Sequence, residues 1–212
     1  MVQSLPMHQP ITHPQIAAVI LAAGGSQRMG QPKQLLLVDG QPMLRRVAEA
    51  ACPARLTQVV VVIGAHSAQM REALAGLPVC VQYNPDWAEG IGTSLRAGIH
   101  ALNPDVEAAL VILADHPGLS TRLIDRLVDG YQHAGAAIVA PAYRGRRGHP
   151  VLFAHTLFPE LLRLQGDQGA RSLLDRPDAD LVCIDVDDPA VIQDIDTPDD
   201  YAGMVTWEAV RR

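Results

Sequence analysis

The stretch IAAVILAAGGSQRMGQPKQLL, residues 16–36, joins an apolar run to a glycine-rich loop. Ile16 to Ala22 has the length and composition of a strand covered on both faces in a parallel sheet. The run breaks at Gly24-Gly25 into a loop carrying Ser26, Arg28, Gly30 and Lys33. Paired glycines let backbone N–H groups turn toward an anion without Cβ obstruction, Arg28 offers a planar fork of donors, and Lys33 supplies a mobile point charge. The outline is that of a phosphate-handling loop; the competing account is a turn that needs glycine for conformation alone. Two familiar phosphate motifs fail here. A Walker A loop needs Gly-Lys-Ser/Thr, but Gly30 is followed by Gln31-Pro32-Lys33. A dinucleotide fingerprint needs Gly-x-Gly-x-x-Gly, and Gly24, Gly25 and Gly30 have the wrong spacing.

Working outward, 212 residues suit one substantial core, and a composition 48% hydrophobic but only 4% aromatic suits an aliphatic sheet covered by helices. A net charge of −6 argues against broad binding to nucleic acid or an anionic membrane, so any phosphate site must be built locally. Cys52, Cys80 and Cys183 are isolated in apolar segments, without Cys-x-x-Cys or Cys/His clustering. They read as small core residues in a reducing cytosol, and a cytoplasmic location is expected. No apolar run approaches the ~20 residues of a membrane span. Residues 1–15 are polar and Pro-rich, unlike a signal peptide, and are expected to form a flexible extension before one domain over 16–212.

Downstream, apolar strands alternate with helices. Strands are expected at Thr57–Ile63, Val79–Tyr83, Ala108–Ala114, Ala136–Ala140, Val151–Phe153 and Asp180–Val186. Helices are expected from Pro42, Ser67 (as N-cap), Leu95, Ser120 and Pro198. This alternation predicts a parallel crossover sheet whose loops open at the carboxyl edges of the strands, where ligands of such sheets bind. Three segments there carry candidate chemistry. Residues 84–94, NPDWAEGIGTS, feed a helix N-terminus, which is a second anion or base contact or simply a Thr/Ser cap. Asp115 ends a buried strand, well placed for Mg²⁺ beside a nucleotide or as a turn cap; His116 follows it. Asp196 is a second candidate metal carboxylate within DIDTPDD, where acids at a helix start also have a structural account. Arg144, Arg146 and Arg147 could receive an anionic second substrate or form a solvated hairpin tip; Asp167 is a plausible N-cap.

Six ordered segments then carry a resemblance: LAAGGSQRMGQPKQLL at 21–36, NPDWAEGIGTSLRAGI at 84–99, LADHP at 113–117, RGHPVLF at 147–153, GDQGAR at 166–171 and DIDTPDDY at 194–201. Together they resemble the molybdenum cofactor nucleotidyltransferases, and the LAAG at 21–24 resembles the cytidylyltransferase branch, whereas the guanylyl branch usually reads LAGG. The resemblance implies a Rossmann-like, mostly parallel sheet with helices on both faces, of the GT-A nucleotidyltransferase kind. It implies transfer of CMP from CTP to the phosphate of molybdopterin with release of pyrophosphate, Mg²⁺ as cofactor, and a molybdenum hydroxylase as a recipient of the product. Carried over by position, Ala22, Ala23, Gly24 and Gly25 meet base and ribose, Leu21 and Ser26 belong to the same nucleotide-binding stretch, and Arg28 and Lys33 hold the triphosphate. Asn84, Gly90, Gly92, Thr93 and Ser94 frame the nucleotide, while Asp115 holds Mg²⁺, shared with Asp196. Arg147, Gly148, His149, Pro150, Asp167 and Arg171 face the pterin, and Lys33, Arg28 and Asp115 carry the catalysis. His116 stands where the resemblance leads one to expect Gln.

Three alternatives remain at the level of sequence: a GTP-using or sugar/polyol-phosphate transferase of the same fold, a non-catalytic nucleotide or cofactor carrier, and an oxidoreductase on this scaffold. No cofactor fingerprint supports the last.

Overall fold

β1 (Ile16–Ala22) lies near the middle of the sheet because it is apolar on both sides. Its alternate residues Ile16, Ala18, Ile20 and Ala22 enter one core, and Ala17, Val19, Leu21 and Ala23 enter another. Both faces of such a strand must be covered by helices. A computed structural model describes residues 14–26 and 29–210. Nearly all of the expected extension at 1–15, and Arg28, therefore lie outside the described residues.

The loop after β1 leads through a short hairpin, β2 (Leu37–Val38) and β3 (Gln41–Pro42), into α1 (Met43–Ala51). β4 (Gln58–Ile63), α2 (Ser67–Ala73), β5 (Cys80–Tyr83), α3 (Ile91–His100), β6 (Ala108–Leu113) and α4 (Thr121–Ala134) follow in strict alternation. The second half contains β7 (Ile138–Tyr143), β8 (Arg146–Arg147), β9 (Val151–Ala154), α5 (Phe158–Leu161), α6 (Arg171–Leu174), β10 (Leu181–Asp185) and α7 (Pro198–Val210). The strand order is β10-β7-β9-β6-β1-β4-β5, with β8 paired to β7. β1 runs parallel to β4 and β6, β4 to β5, and β7 to β10. Leu44 and Val47 of α1, Met70 of α2 and Ile124 and Leu127 of α4 fill one face. Leu95 and Ile99 of α3, Phe158 and Leu161 of α5 and Leu173 of α6 fill the other. No described helix is long and apolar enough to cross a membrane.

Several local expectations are corrected. β9 is antiparallel to both β6 and β7, because the β7–β8 hairpin reverses the chain before it re-enters the sheet. β7 runs on through Pro141, so the strand expected at 136–140 ends three residues later. Ser67 is not a cap: His66, in the left-handed region, takes that position without a side-chain bond. Pro42 sits in β3 and caps α1 rather than forming its first turn. Cys80 and Cys183 are exposed rather than core, because β5 and β10 are the two edge strands, whose outward positions meet solvent. Cys52 is half-buried.

Candidate active site

The loop at Gly24–Ser26 is held from beneath by Gln34. This buried amide donates to Gly24 O (3.0 Å) and accepts from the Ser26 hydroxyl (3.1 Å), and the Lys33 N–H donates to Ser26 Oγ at 3.1 Å. Ser26 occupies the left-handed region, φ 53°, which turns the chain sharply there. Lys33 opens a short 3-10 turn, Lys33–Leu35, so its backbone braces the loop while its side chain leaves in another direction.

That side chain reaches two carboxylates far away in sequence. Lys33 Nζ donates to Asp115 Oδ2 at 2.6 Å and to Asp196 Oδ1 at 2.7 Å. Asp115 arrives from the carboxyl end of β6, where Ala114 N–H still bonds Leu21 O at 3.1 Å. Asp196 arrives because Ile195 N–H donates to Asp115 O at 3.0 Å, pinning the segment before α7 against the β6 loop. The acids of DIDTPDD thereby divide their duties. Asp200 accepts from Thr197 N–H (2.8 Å) and returns its own N–H to Thr197 Oγ1 (3.2 Å), a reciprocal cap at the start of α7. Asp196 instead points its side chain at Lys33. The side chains of Lys33, Asp115 and Asp196 are 16%, 18% and 30% exposed. Burial pulls the Lys33 ammonium down, and Asp115 with Asp196 outweighs it, so the group titrates above its ordinary value of 10.5 and stays charged at neutral pH.

A second group of expected residues lines an adjoining cavity of about 290 Å³. Its walls are apolar, with Leu21, Ile91, Leu95, Val111, Leu113, Val151, Phe153 and Leu174, and Arg147, Gly148, His149, Asp167 and Arg171 complete them. Arg147 is fixed by Asp175 (2.6 Å) and Leu174 O (3.2 Å); Arg171, largely exposed, lies 3.7 Å from the same carboxylate. Of the three arginines, Arg147 belongs to the cavity, whereas Arg144 stacks on the Tyr143 ring at the hairpin turn, 5.0 Å from its centroid. His149 is anchored by its N–H on Val191 O (2.7 Å). Pro150 is buried behind it. Burial pushes His149 down to about 4, with His116 and Arg147 adding to the shift and Asp115 opposing it, so the ring is neutral near pH 7. The ring centroids of His149 and His116 are 5.4 Å apart, which connects the cavity to the Asp115 end of the site.

The third group lies inside. Asn84, Thr93 and Ser94 are buried, and the Asn84 amide donates to both hydroxyl oxygens at 2.9 and 3.0 Å. They brace the turn at 84–94 from within, and Thr93 does not cap α3, which starts at Ile91 after Gly90. Gly90 has φ 110°, and a Cβ there would run into the backbone of Gly166, so the Gly166–Gln168 turn packs directly on the start of α3. Asp167 sits within that turn and is not an N-cap. Ala22 and Ala23 are buried in opposite cores, so only their backbone is available to a ligand. Among the described residues no cluster of three or more His, Cys, Asp or Glu could hold a metal unaided. A larger hollow of about 410 Å³, between Pro117-Gly118 and Met204, contains none of the expected residues.

Sequence reading missed Gln34 and Trp87. Gln34 stands between Lys33 and the apolar run Leu35–Val38, and nothing in that pattern marks it as buried. Trp87 packs on Gly64 and Gly25 so closely that a Cβ at Gly64 would overlap its side chain; nothing local in the sequence announces that contact.

Comparison with known proteins agrees with this fold. Residues 18–181 match the family described as the MobA-like NTP transferase domain. The chain is similar to nicotine blue oxidoreductase of Paenarthrobacter nicotinovorans, 35% identical over 87% of this chain and 93% of the relative. It is 31% identical to purine catabolism protein PucB of Bacillus subtilis over 89% and 95% of the two chains, and 27% identical to molybdenum cofactor cytidylyltransferase of Escherichia coli over 88% and 93%. Among solved structures, Rv0371c of Mycobacterium tuberculosis aligns with TM-score 0.83 and 31% identity, covering 92% of this chain and all of that one. Rv0371c has also been solved in complex with manganese (TM-score 0.77, 30% identity, 91% and 98% covered). With a nucleotidyltransferase sheet, a glycine loop and a Lys–Asp–Asp cluster at its carboxyl edge, the chain belongs to the MobA-like NTP transferase domain family.

Proposed function

We propose that this chain transfers CMP from CTP to the phosphate of molybdopterin, forming the cytosine dinucleotide and releasing pyrophosphate. The observation that carries the reading is Lys33 Nζ held between Asp115 and Asp196 beside the Gly24–Ser26 loop. Three residues more than 80 positions apart converge there, and they supply both a cation for phosphate oxygens and oxygen donors for a hard divalent ion. In the reaction an oxygen of the acceptor phosphate forms a bond to the α-phosphorus of CTP, and the bond from that phosphorus to the bridging oxygen of pyrophosphate breaks. Two anions meet, so positioning and charge neutralisation suffice and no protein nucleophile is required.

Asp115 and Asp196 fit Mg²⁺ or Mn²⁺. Both are carboxylates, and one oxygen of each, Asp115 Oδ2 and Asp196 Oδ1, already converges on a single cation, Lys33 Nζ. Two protein carboxylates with phosphate and water completing the shell is the usual arrangement for Mg²⁺. Such an ion, when bound, would neutralise charge on the triphosphate. For Lys33 the consequence is movement: its ammonium leaves the two carboxylates and takes the triphosphate oxygens, with Arg28 as its expected companion. The cavity bearing Arg147, His149, Asp167 and Arg171 receives the acceptor, its apolar walls taking the flat pterin and its arginines the phosphate. A molybdenum hydroxylase is the proposed destination of the product.

LAAG at 21–24 and the cytidylyltransferase relative support CTP as donor. The second reading is a redox activity, favoured by the relative named nicotine blue oxidoreductase. One experiment separates them: the purified chain is incubated with molybdopterin and CTP, GTP, ATP or UTP, and in parallel with NADH or NADPH plus an added quinone dye as two-electron acceptor. Pyrophosphate and a cytidylylated pterin from CTP alone support the proposal; preference for GTP reassigns the donor, and oxidation of the reduced nicotinamide matched by reduction of the dye, with no nucleoside triphosphate present, supports the second reading.

A further inference from the structure

Three buried side-chain polar atoms lack a hydrogen-bond partner among the described residues: Asp115 Oδ1, His116 Nδ1 and His149 Nδ1. All three fall in one place. His116 is only 7% exposed, its Nε2 stands 3.9 Å from Asp115 Oδ1, and its ring faces that of His149. A buried polar group without a partner costs about 1–3 kcal/mol. Three such atoms together mark a site that is completed in the working state rather than a random defect in packing.

The two oxygens of Asp115 face different neighbours. Oδ2 is on Lys33, and Oδ1 is turned to His116. We propose that His116 is a positioning residue for Asp115, its Nε2–H donating to Oδ1 and so holding the carboxylate with Oδ2 presented to the divalent ion once Lys33 has moved to the nucleotide. The inference rests on Asp115 being a metal ligand. A closure of about 1 Å brings the pair within ordinary hydrogen-bond distance. Placing the proton on Nε2 also follows from acceptor counting, since an ionised Asp115 can only accept. His116 is not itself a ligand on this account: Mg²⁺ prefers oxygen, and no three-residue His/Asp cluster for a metal is formed among the described residues. Partners that orient a metal-binding side chain typically contribute about 10–100-fold to affinity.

The test is Mn²⁺ binding to the purified chain saturated with a non-hydrolysable CTP analogue and without acceptor, so that Lys33 is on the nucleotide, read from the electron paramagnetic resonance signal of the free ion against the same titration of the analogue alone. His116→Gln places an amide N–H near the Nε2 position, and His116→Asn places it near Nδ1, so the two polar variants discriminate between the atoms. His116→Gln is expected to bind Mn²⁺ within about threefold of the parent, and His116→Asn and His116→Phe about tenfold or more weakly. Asp115→Asn is the control and should lose most binding. Equal affinities for the Gln and Asn variants, with Asp115→Asn impaired, overturn the role of His116. An Asp115→Asn variant that binds Mn²⁺ like the parent overturns the metal reading itself, whatever the His116 variants do.

Discussion

Replacing Lys33 by Met removes the ammonium while keeping most of the aliphatic stem. The structure gives two losses, one in the reaction and one in the fold, and one gain, in metal binding. In the reaction, one preorganised contact to the triphosphate is lost, and such losses typically cost about 10²–10³ in rate, or about 3–4 kcal/mol. In the free protein, two charge-assisted hydrogen bonds of 2.6 and 2.7 Å disappear and two carboxylates are left facing one another. At about 1.5–3 kcal/mol for a bond to a charged group, partly offset by solvent at Asp196, the fold loses on the order of 3 kcal/mol. A loss of that size lowers the melting temperature by roughly 6–12 °C in a chain of this length. The carboxylates are also released from their internal cation, so Mn²⁺ should bind the Lys33→Met variant more tightly than the parent when nucleotide is absent. The assays are pyrophosphate release with CTP and molybdopterin, a thermal melt, and an Mn²⁺ titration. Turnover within about threefold of the parent, or unchanged Mn²⁺ affinity, would refute the reasoning.

The other predictions are shorter. Because the Lys33 pKa is raised in the fold, its contribution to stability is complete below about pH 10.5 and is lost as pH rises through the folded value; burial also raises Tyr131 and Cys52, which weakens parent and variant alike, so the parent should weaken more steeply than Lys33→Met, as read by urea unfolding at alkaline pH. His149 is depressed from 6.5 to about 4, so the unfolded chain binds more protons between those values; stability should fall by up to about 3 kcal/mol as pH drops across that window, and His149→Gln should flatten the slope. Gly90→Ala forces a side chain onto the Gly166 backbone at φ 110°, and should cost about 1–3 kcal/mol in unfolding free energy while raising the KM for acceptor. Gln34→Leu strands Gly24 O and the Ser26 hydroxyl, costs about 1–3 kcal/mol, and should raise the KM for CTP more than it lowers kcat.

Much of this arrangement was legible in the sequence because it is local. Ile16–Ala22 announces a doubly covered strand by being apolar throughout, and the observed β1 has those same bounds. The alternation of strands and helices up to Ala134 follows from periodicity, as does the position of Asp115 at a strand end. What failed was long-range. The antiparallel β9 depends on where the hairpin after Tyr143 returns the chain, and the exposure of Cys80 and Cys183 depends on which strands become edges. The hydrogen bonds of the Asn84 amide to Thr93 and Ser94 close the loop on itself, a contact that no local pattern announces. Asp196, a candidate carboxylate from the sequence, reaches Lys33 because the Ile195 N–H bond to Asp115 O pins its segment, a long-range contact with no local signal.

The most direct test of the central claim follows a single atom. CTP labelled at the α-phosphorus is incubated with molybdopterin, Mg²⁺ and the purified chain, and the pterin product is isolated. The account predicts that the label appears in the pterin dinucleotide in step with one pyrophosphate released, and that Asp115→Asn abolishes both. Label that never enters the pterin, or transfer that proceeds from GTP in preference to CTP, would contradict it.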